Sequence, residues 1–591
     1  MKKAMITGLL PILLSAMLQA QTVWHDPLKA DTARVQGRAW SVEMGNNYGR
    51  MPARMKSMLR EAVWNLSTCS AGLYIEFYTN APEIIVRYTV SGSLTLPNMT
   101  TLATSGLDLY VTDSDGHTDW CACPGNYRFG QQPGDTITFR YNDLTYHNNH
   151  KLGSEYRLFL PLYNSVKWIE IGTPEESVFK FSPLSNERPI VAYGTSILQG
   201  ASASRAGMAW TSQLQRRLDT PIYNIGFSGN AWMDSQIFDA LSEIDTQLYI
   251  LDCMPNMYIW RDSIQSRTVA GVKKLRSKSN APILLVENDG YMYGAINKKI
   301  AEECDVTNRE LSKAYKTLQD AGIKDIYYLT KEEIGLTPDS QVDGWHASDI
   351  GMTIYADAYE KKIREILNWH PLSQYTPVRQ RREPAIYEWN ERHQQVINRN
   401  RSAHPDILMI GNSITHYWGG QPYHRIHRNQ QCWDNLFEGH TVTNMGFGWD
   451  RIENVLWRIY HGELDDVQAH DIFLMIGTNN LSVKDSAEKV AQGIVELVDA
   501  IAHKQPEAHI HVMKIFPRRD MNKAVNDTNR LLEQKLKTNA RISLLDLTPI
   551  LTLGNGQINP TYYGTDGLHP NQAGYEAIAD FLKSSINTKM P

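Results

Sequence analysis

The sequence predicts a multidomain protein: a β-sandwich-like or jelly-roll-like domain followed by two α/β domains with parallel sheets. Three observations carry this prediction. Short β-prone runs separated by turn residues fill the chain up to residue 184. Strands and helices then alternate, and the alternation begins again beyond a polar segment near residue 370. A chain of 591 residues is too long for one core. We expect a signal peptide at 1–20, domains at 21–185, 186–370 and 385–591, and a linker at 371–384.

The N-terminal region reads as antiparallel β structure. Turn signals such as Asp113-Ser-Asp-Gly and Gln132-Pro-Gly separate short runs rich in β-branched and aromatic residues. Many short strands with such turns are typical of a sandwich or jelly roll. The predicted strands lie at 73–78, 83–90, 107–111, 136–141 and 156–162.

The next region alternates short, almost wholly apolar runs with helical segments. Such strands are buried on both faces, which indicates a parallel sheet covered by helices. Strands are predicted at 190–193, 222–225, 248–251, 283–286 and 326–329, and helices at 263–278, 308–320 and 347–367.

The second α/β region follows a proline-containing segment with a basic run from 379 to 382, which we interpret as the linker. The repeat is one of architecture, since the two regions share few residues outside short motifs. Strands are predicted at 407–410, 442–445, 472–476, 509–515 and 542–545, and helices at 451–460, 487–503, 523–537 and 571–586.

The first twenty residues have the pattern of a secretory signal. Lys2 and Lys3 precede a mostly apolar run that ends at Ala20, which predicts cleavage before Gln21. An uncleaved anchor is the alternative, because about 20 apolar residues can span a bilayer. We expect a secreted or periplasmic protein without stable membrane insertion. The net charge of −5 offers no basic field for nucleic acid.

Each α/β region opens with a strand that ends in Gly-x-Ser-Ile, which contributes Ser196 to the first and Ser413 to the second. Glycine permits the sharp turn, and the serine then lies at the carboxyl edge of a parallel sheet, where such folds bind ligands. One Gly-x-Ser is weak evidence, because a turn serine or a helix cap would give the same pattern. The recurrence makes both serines candidate nucleophiles.

Each region closes with Asp-x-x-His before its last helix: Asp343 with His346, and Asp566 with His569. A serine hydroxyl needs a base to take its proton, and histidine titrates in the right range. An aspartate three residues earlier can orient the ring and stabilise its cation. The serine-to-histidine intervals are 150 and 156 residues, and each suits one small α/β domain.

Two middle blocks offer donors for an oxyanion. The second strand of each region runs into Asn224-Ile-Gly-Phe-Ser-Gly229 or Asn444-Met-Gly-Phe-Gly-Trp449, and the third strand precedes Asn256 or Asn479. A backbone N–H and a side-chain amide at these positions can join the N–H of the serine itself. No cysteine or histidine cluster predicts a metal or another cofactor.

These four blocks, in order and twice, resemble the SGNH (GDSL-type) hydrolases, which have a flavodoxin-like α/β fold. The resemblance implies Ser196, Asp343 and His346 as one triad and Ser413, Asp566 and His569 as another, with Gly229, Asn256, Trp449 and Asn479 in the oxyanion holes. The second region is most similar to the platelet-activating-factor acetylhydrolase-like branch. Gly106-Leu-Asp108-Leu-Tyr110 resembles the Gly-x-Asp-Leu-Tyr module that precedes some bacterial members. Trp449 departs from the family glycine, so its ring either crowds the pocket or forms a wall for a substrate ring.

The leading hypothesis is a secreted serine esterase that removes small acyl groups, O-acetyl above all, from an oligo- or polysaccharide. A lipase, phospholipase or thioesterase of the same fold is the alternative. A glycan-binding protein with one inactive hydrolase domain is another. The β region is expected to be a wall of the first active site or a carbohydrate-binding module. The sequence leaves the oligomeric state open. Aromatic residues near the motifs could stack on sugars or simply pack: Trp345, Tyr417, Trp418, Trp449, Tyr562 and Tyr563.

Overall fold

The computed structural model describes residues 21–30, 34–145, 150–382 and 386–586. The predicted signal segment and residues 383 and 384 of the predicted linker lie outside these ranges. The strands form four five-stranded sheets. The antiparallel β region and the two parallel α/β domains that the sequence predicted are all present.

The N-terminal region consists of two antiparallel sheets that share one apolar core. Val86 and Ile171 come from one sheet, Phe77 and Leu158 come from the other, and all four are buried. A jelly-roll connectivity stays a prediction. One sheet has the order β1-β9-β3-β7-β6 and the other β10-β2-β8-β4-β5. The strands are β1 (Thr22–His25), β2 (Tyr74–Thr79), β3 (Ile84–Val90), β4 (Asp108–Thr112), β5 (Thr118–Cys121), β6 (Tyr127–Arg128), β7 (Ile137–Tyr141), β8 (Ser154–Phe159), β9 (Val166–Pro174) and β10 (Phe179–Phe181).

The segment between β1 and β2 belongs in part to the core of the next domain. Met51, Met55 and Val63 pack in one cluster with Val191 and Tyr193 of the first parallel sheet. The predicted boundary at residue 185 therefore does not separate two independent cores. The helices of this region are α1 (Ser41–Met44), α2 (Glu61–Ser67) and α3 (Thr101–Ser105).

The first α/β domain contains a parallel sheet of order β12-β11-β13-β14-β15. All five predicted strands are present: β11 (Ile190–Gly194), β12 (Ile222–Gly226), β13 (Leu248–Asp252), β14 (Ile283–Val286) and β15 (Ile326–Leu329). The helices are α4 (Ser196–Gln199), α5 (Trp210–Leu218), α6 (Ser235–Leu241), α7 (Ile264–Arg276), α8 (Lys298–Asp320), α9 (Lys331–Ile334) and α10 (Asp349–Leu367). The prediction of 308–320 was wrong at its start, because the Asn297 side chain caps α8 ten residues earlier by accepting from the N–H of Lys299.

The second α/β domain repeats this sheet with the order β17-β16-β18-β19-β20. Its strands are β16 (Ile407–Gly411), β17 (Val442–Gly446), β18 (Asp471–Met475), β19 (His509–Met513) and β20 (Ile542–Leu545). The helices are α11 (Trp389–Ala403), α12 (Ser413–His416), α13 (Gln430–Leu436), α14 (Ile452–Arg458), α15 (Thr478–Ser482), α16 (Ala487–Lys504), α17 (Asn522–Lys535), α18 (Thr548–Leu551) and α19 (Gln572–Leu582). The sequence did not predict α11, because its residues are mostly polar although one face of the helix is buried.

The predicted linker is a packed segment. Arg379 Nε lies 2.6 Å from Asp219 of the first α/β domain, and Arg381 Nε lies 3.1 Å from Glu155 of the β region. Both guanidinium groups are largely buried. Tyr375 donates a 3.0 Å hydrogen bond to Asp485 of the second α/β domain. The segment therefore ties the three regions together. In the ranges that the structure covers, no helix is long and apolar enough to cross a membrane.

Candidate active sites

Each serine stands at the carboxyl end of the first strand of its α/β domain, β11 or β16, which is the second strand in the order of its sheet. A Cβ at Gly194 would collide with the carbonyl oxygen of Asp252 on the next strand, and one at Gly411 would lie 2.9 Å from that of Met475, so the strand ends need glycine. Thr195 or Asn412 then caps the helix that follows by accepting from an N–H two residues later. Both serines are buried except for 7% of their surface.

The first predicted triad is assembled. Ser196 Oγ lies 3.0 Å from His346 Nε2, and His346 Nδ1 lies 2.8 Å from Asp343 Oδ2. The other carboxylate oxygen of Asp343 accepts from the N–H groups of Trp345 and His346 at 3.1 and 2.8 Å. The serine, the base and the orienting carboxylate are thus in contact in the order that nucleophilic catalysis requires.

The second triad repeats this geometry. Ser413 Oγ lies 2.8 Å from His569 Nε2, and His569 Nδ1 lies 2.8 Å from Asp566 Oδ2. Asp566 Oδ1 accepts from the N–H groups of Leu568 and His569 at 2.9 and 3.0 Å. The chain therefore contains two separate serine–histidine–aspartate arrangements.

The electrostatic setting keeps both aspartates ionised. Burial by itself raises the pKa of Asp343, but hydrogen bonds from His346, the Trp345 N–H and Asn98 outweigh it and lower the pKa to about 2. For Asp566, burial is likewise outweighed by bonds from Leu568 and His569, and the pKa falls to about 2. An ionised carboxylate can hold the imidazole ring and stabilise the imidazolium that forms when the base takes a proton.

The predicted oxyanion loops have matching backbones. Gly194 pairs with Gly226 and Gly411 with Gly446, so Gly229 and Trp449 are equivalent positions. Their φ angles are 68° and 62°, both left-handed. Trp449 thus keeps the backbone shape of the family glycine in spite of its Cβ, at a cost of about 1–2 kcal/mol.

The amides of the third block lie beside these loops. Asn256 Oδ1 accepts from the N–H of Ala231 at 3.3 Å, which leaves its NH₂ group to donate elsewhere. Asn479 donates one hydrogen to the Asp450 carbonyl at 2.9 Å and has a second to offer. The structure therefore brings all four predicted oxyanion residues to the edge where the serines stand.

Neighbouring side chains hold the Trp449 loop firmly. Gly448 donates its N–H to Nδ1 of the buried His416 at 3.1 Å, and its carbonyl accepts from Gln380 at 2.7 Å and Tyr387 at 2.8 Å. Such a network can maintain an unfavourable φ. His416 therefore supports this loop, and its side chain does not reach the surface as a second base would.

The β region completes the first site. Asn98, on the loop between β3 and α3, donates to Asp343 Oδ2 at 3.1 Å, and its carbonyl accepts from Ser202 at 2.9 Å. Asp108 of the Gly-x-Asp-Leu-Tyr motif accepts from the Gly207 N–H at 2.8 Å and pairs with Arg205. The motif thus binds the loop between α4 and α5, which follows Ser196 in the chain. This arrangement favours the interpretation of the β region as a wall of the first active site over that of an independent carbohydrate-binding module.

The contribution of Asn98 could not be found in the sequence, because 245 residues separate it from Asp343. The aromatic residues that the sequence offered as sugar-stacking candidates lie in different environments. Trp418 and Tyr563 are core residues and Tyr417 is buried, whereas Trp345 is 40% exposed and packs edge-on to Tyr291 and Tyr293. Trp449 is half-buried and Tyr562 packs partly against the core. Among the residues covered, no group of three or more His, Cys, Asp or Glu side chains could hold a metal ion.

Comparison with known proteins agrees with this geometry. Two family profiles, both described as GDSL-like lipase/acylhydrolase, match residues 187–364 and 409–577, and a profile described as the N-terminus of an SGNH-hydrolase-type esterase matches residues 22–179. The chain belongs to the GDSL-like lipase/acylhydrolase family. As a family member with the triad residues in contact, it is an esterase or acylhydrolase.

Individual GDSL relatives support the assignment. A structure described as a GDSL-like lipase from Bacteroides ovatus is 30% identical, with a TM-score of 0.53, and the match covers 59% of this chain and 98% of that one. Platelet-activating factor acetylhydrolase IB subunit alpha2 of Rattus norvegicus is 29% identical over 34% of this chain and 83% of its own length. Subunit alpha1 of Bos taurus is 28% identical over 37% of this chain and 89% of its own length.

Proposed function

We propose that this protein is a secreted serine esterase with two working active sites, which removes O-acetyl or similarly small acyl groups from carbohydrates. The observation that carries the proposal is the pair of complete triads, each with serine, histidine and aspartate in hydrogen-bond contact. A hydrolase domain without activity would not need these contacts, yet both domains have them.

Each site would act through an acyl-enzyme. The serine oxygen attacks the ester carbonyl while histidine Nε2 takes the hydroxyl proton, and the resulting oxyanion is held by the backbone and amide donors. The histidinium returns that proton to the sugar oxygen as the C–O bond breaks. Water then attacks the acyl-serine with the same histidine as base, which releases the acid and restores the serine.

The shape and chemistry of the sites support a short acyl group on a bulky alcohol. The imidazole of His346 is 24% exposed and that of His569 is 17% exposed, so both bases lie close to the surface. Trp345, which precedes His346 in the chain, is 40% exposed and packs edge-on to Tyr293, which is 41% exposed, and exposed aromatic rings suit sugar rings. The signal-like N-terminus would deliver the enzyme to where glycans occur.

A lipase, phospholipase or thioesterase remains the alternative from the same chemistry. Acetyl specificity predicts that catalytic efficiency falls from acetyl to octanoyl esters and that acetate leaves acetylated glycans. Rising efficiency with chain length, with no acetate released from any glycan, would replace the carbohydrate proposal with the lipase.

The test uses Ser196→Ala, Ser413→Ala and the double variant. Each single variant should lose part of the turnover of a small aryl acetate, and the double variant nearly all of it, because a missing triad member costs roughly 10⁴-fold or more. If one single variant abolishes turnover of every ester, the other domain is not an esterase. Thermal melts of the three variants show whether each remains folded.

A further inference from the structure

Two arginines flank the second triad without a carboxylate partner. Arg428 Nη1 lies 3.5 Å from the carbonyl of Pro570, the residue after the catalytic histidine. Arg518 Nη1 lies 3.1 Å from Thr478 Oγ1, next to the oxyanion residue Asn479. Within the described residues, neither guanidinium forms an ion pair, and the buried Nε of each has no hydrogen-bond partner.

Both positive charges act on the catalytic base. Burial lowers the pKa of His569, the carboxylate of Asp566 opposes that shift, and Arg428 and Arg518 add to it. Burial also lowers the pKa of Arg518, which Asp566 only partly offsets. Neither guanidinium has a carboxylate of the described residues within ion-pair distance, so the two partly buried charges are incompletely compensated and a bound anion would complete that compensation.

The first site has a different charge at the equivalent place. In the matching sheet registers, Leu285 of β14 corresponds to Val512 of β19. The loops that follow begin alike, because Asn308 accepts from the Asn288 N–H at 2.7 Å and Asn529 accepts from the Ile515 N–H at 2.9 Å. Asp289 in the first domain then corresponds to Phe516, and Tyr291 corresponds to Arg518. The Asp289 carboxyl is buried and bonded to Tyr355. A carboxyl and an aromatic ring thus stand where the second domain has a phenyl ring and a guanidinium.

We propose that the two sites differ in the charge of the substrates they accept. The second site takes small acyl esters of sugars that carry a carboxylate, and the first site takes small acyl esters of neutral sugars. The proposal rests on the proposed esterase function. Arg428 and Arg518 would bind the anion on either side of the ester, while Trp345 and Tyr293 give the first site an apolar face instead. A guanidinium is suited to this task, because it pairs with carboxylates through two parallel N–H groups.

The experiment compares the single-site proteins on matched substrates. Ser196→Ala reports the second site and Ser413→Ala reports the first. Methyl glucuronide and methyl glucoside, both acetylated only at ring hydroxyls, differ at C6, which is a carboxylate in the first and a hydroxymethyl group in the second. Acetate release gives kcat/KM for each. We expect the anionic-to-neutral ratio to be at least about tenfold higher in Ser196→Ala, which corresponds to about 1.4 kcal/mol. The ratio should shrink in about 1 M salt, where charges are screened within about 3 Å.

Arginine variants in the Ser196→Ala background identify the source of the preference. Arg428→Gln with Arg518→Gln should bring the ratio down to that of the first site, whereas the two lysine replacements should retain part of it. Arg541→Gln is the matched control, because Arg541 precedes β20 at the opposite edge of the sheet and should leave the ratio unchanged. Melting temperatures of all variants separate lost preference from lost folding.

Three results would overturn the inference. Equal ratios for the two sites, or a high ratio that survives the glutamine pair, would refute selection by these arginines. A preference for acetylated glycerol phosphate over acetylated glycerol, without one for the glucuronide, would refute the sugar carboxylate and identify a phosphate ester. Failure of Ser196→Ala to hydrolyse even a neutral aryl acetate would instead refute the proposed esterase activity of the second domain.

Discussion

Replacement of Asn98 by alanine should weaken the first active site from outside its own α/β domain. The Asn98 amide donates to the triad carboxylate of Asp343 at 3.1 Å. The main-chain carbonyl of Asn98, which accepts from Ser202, stays in place when the side chain is shortened. The change therefore removes one hydrogen bond to the triad and leaves the loop anchored. Asn98 acts through Asp343 as a positioning residue.

The magnitude follows from the exposure of the acceptor. A hydrogen bond to a charged group contributes about 1.5–3 kcal/mol when buried. The Asp343 side chain is 30% exposed, so water can replace part of the bond, and we take about 1 kcal/mol. That corresponds to about a fivefold loss of kcat/KM. The bond favours the ionised form and holds the pKa of Asp343 down, so its effect is complete at neutral pH and is lost only as the pH falls toward about 2.

The assay measures the hydrolysis of a small aryl acetate between pH 5 and 9, values at which Asp343 is ionised. In Ser413→Ala, the Asn98→Ala change should lower kcat more than it raises KM, by the same factor at every pH. Asn98→Gln should recover part of the loss. In Ser196→Ala, which reports the second site, the same change should have no effect. An unchanged first site, or an equal loss at both sites, would refute the positioning role.

Three further outcomes are expected. Trp449→Gly should change acyl-substrate preference without lowering the melting temperature, because glycine relieves the left-handed backbone at φ 62°; a large drop in melting temperature with preference intact would make the indole a core residue. Deletion of residues 21–184 should abolish the first site or its solubility, since Met51 and Val63 belong to its core; a fully active remainder would contradict this. In Ser196→Ala, kcat/KM should stay high as the pH falls below 6.5, because the pKa of His569 is lowered and only its neutral form is a base. Adding Arg518→Gln should move the acidic fall of kcat/KM to higher pH. A fall that already begins above pH 6.5 in Ser196→Ala would exclude the lowered pKa.

The contacts among the triad residues were predictable because each residue's position depends on local chain geometry. A serine after an apolar strand and Gly-x, and a histidine three residues after an aspartate, are fixed by a turn at the same edge of a parallel sheet. The Asp-x-x-His turn shows this directly, since the backbone N–H of His569 and its ring both bind Asp566. The chain after β20 then returns toward β16, where Tyr575 of α19 donates to the Ile414 carbonyl at 2.7 Å, and this brings His569 beside Ser413.

The missed features depend on contacts that sequence spacing does not encode. The α11 helix was not predicted because its buried face contains Arg392, whose guanidinium binds the carbonyls of Asn444 and Gly446 at the end of β17. In the first domain, Arg50 makes the corresponding bonds to Asn224 and Gly226. A buried arginine with backbone partners looks like a surface residue in the sequence.

Arg50 and Arg392 also show how two similar triads can have different surroundings. Each α/β domain obtains the support for its second strand from chain outside the triad motifs, the first from the β1–β2 segment and the second from α11. The same holds at the sites, where the β region contributes Asn98 to one and the packed linker contributes Gln380 to the loop of the other. Because the chemistry lies in short motifs and the walls lie in the added segments, the walls can change without disturbing the serine–histidine contact. The residues that surround each triad should therefore determine which substrate it accepts. Exchanging equivalent residues between the two sites, such as Tyr291 and Arg518, should transfer the substrate preference.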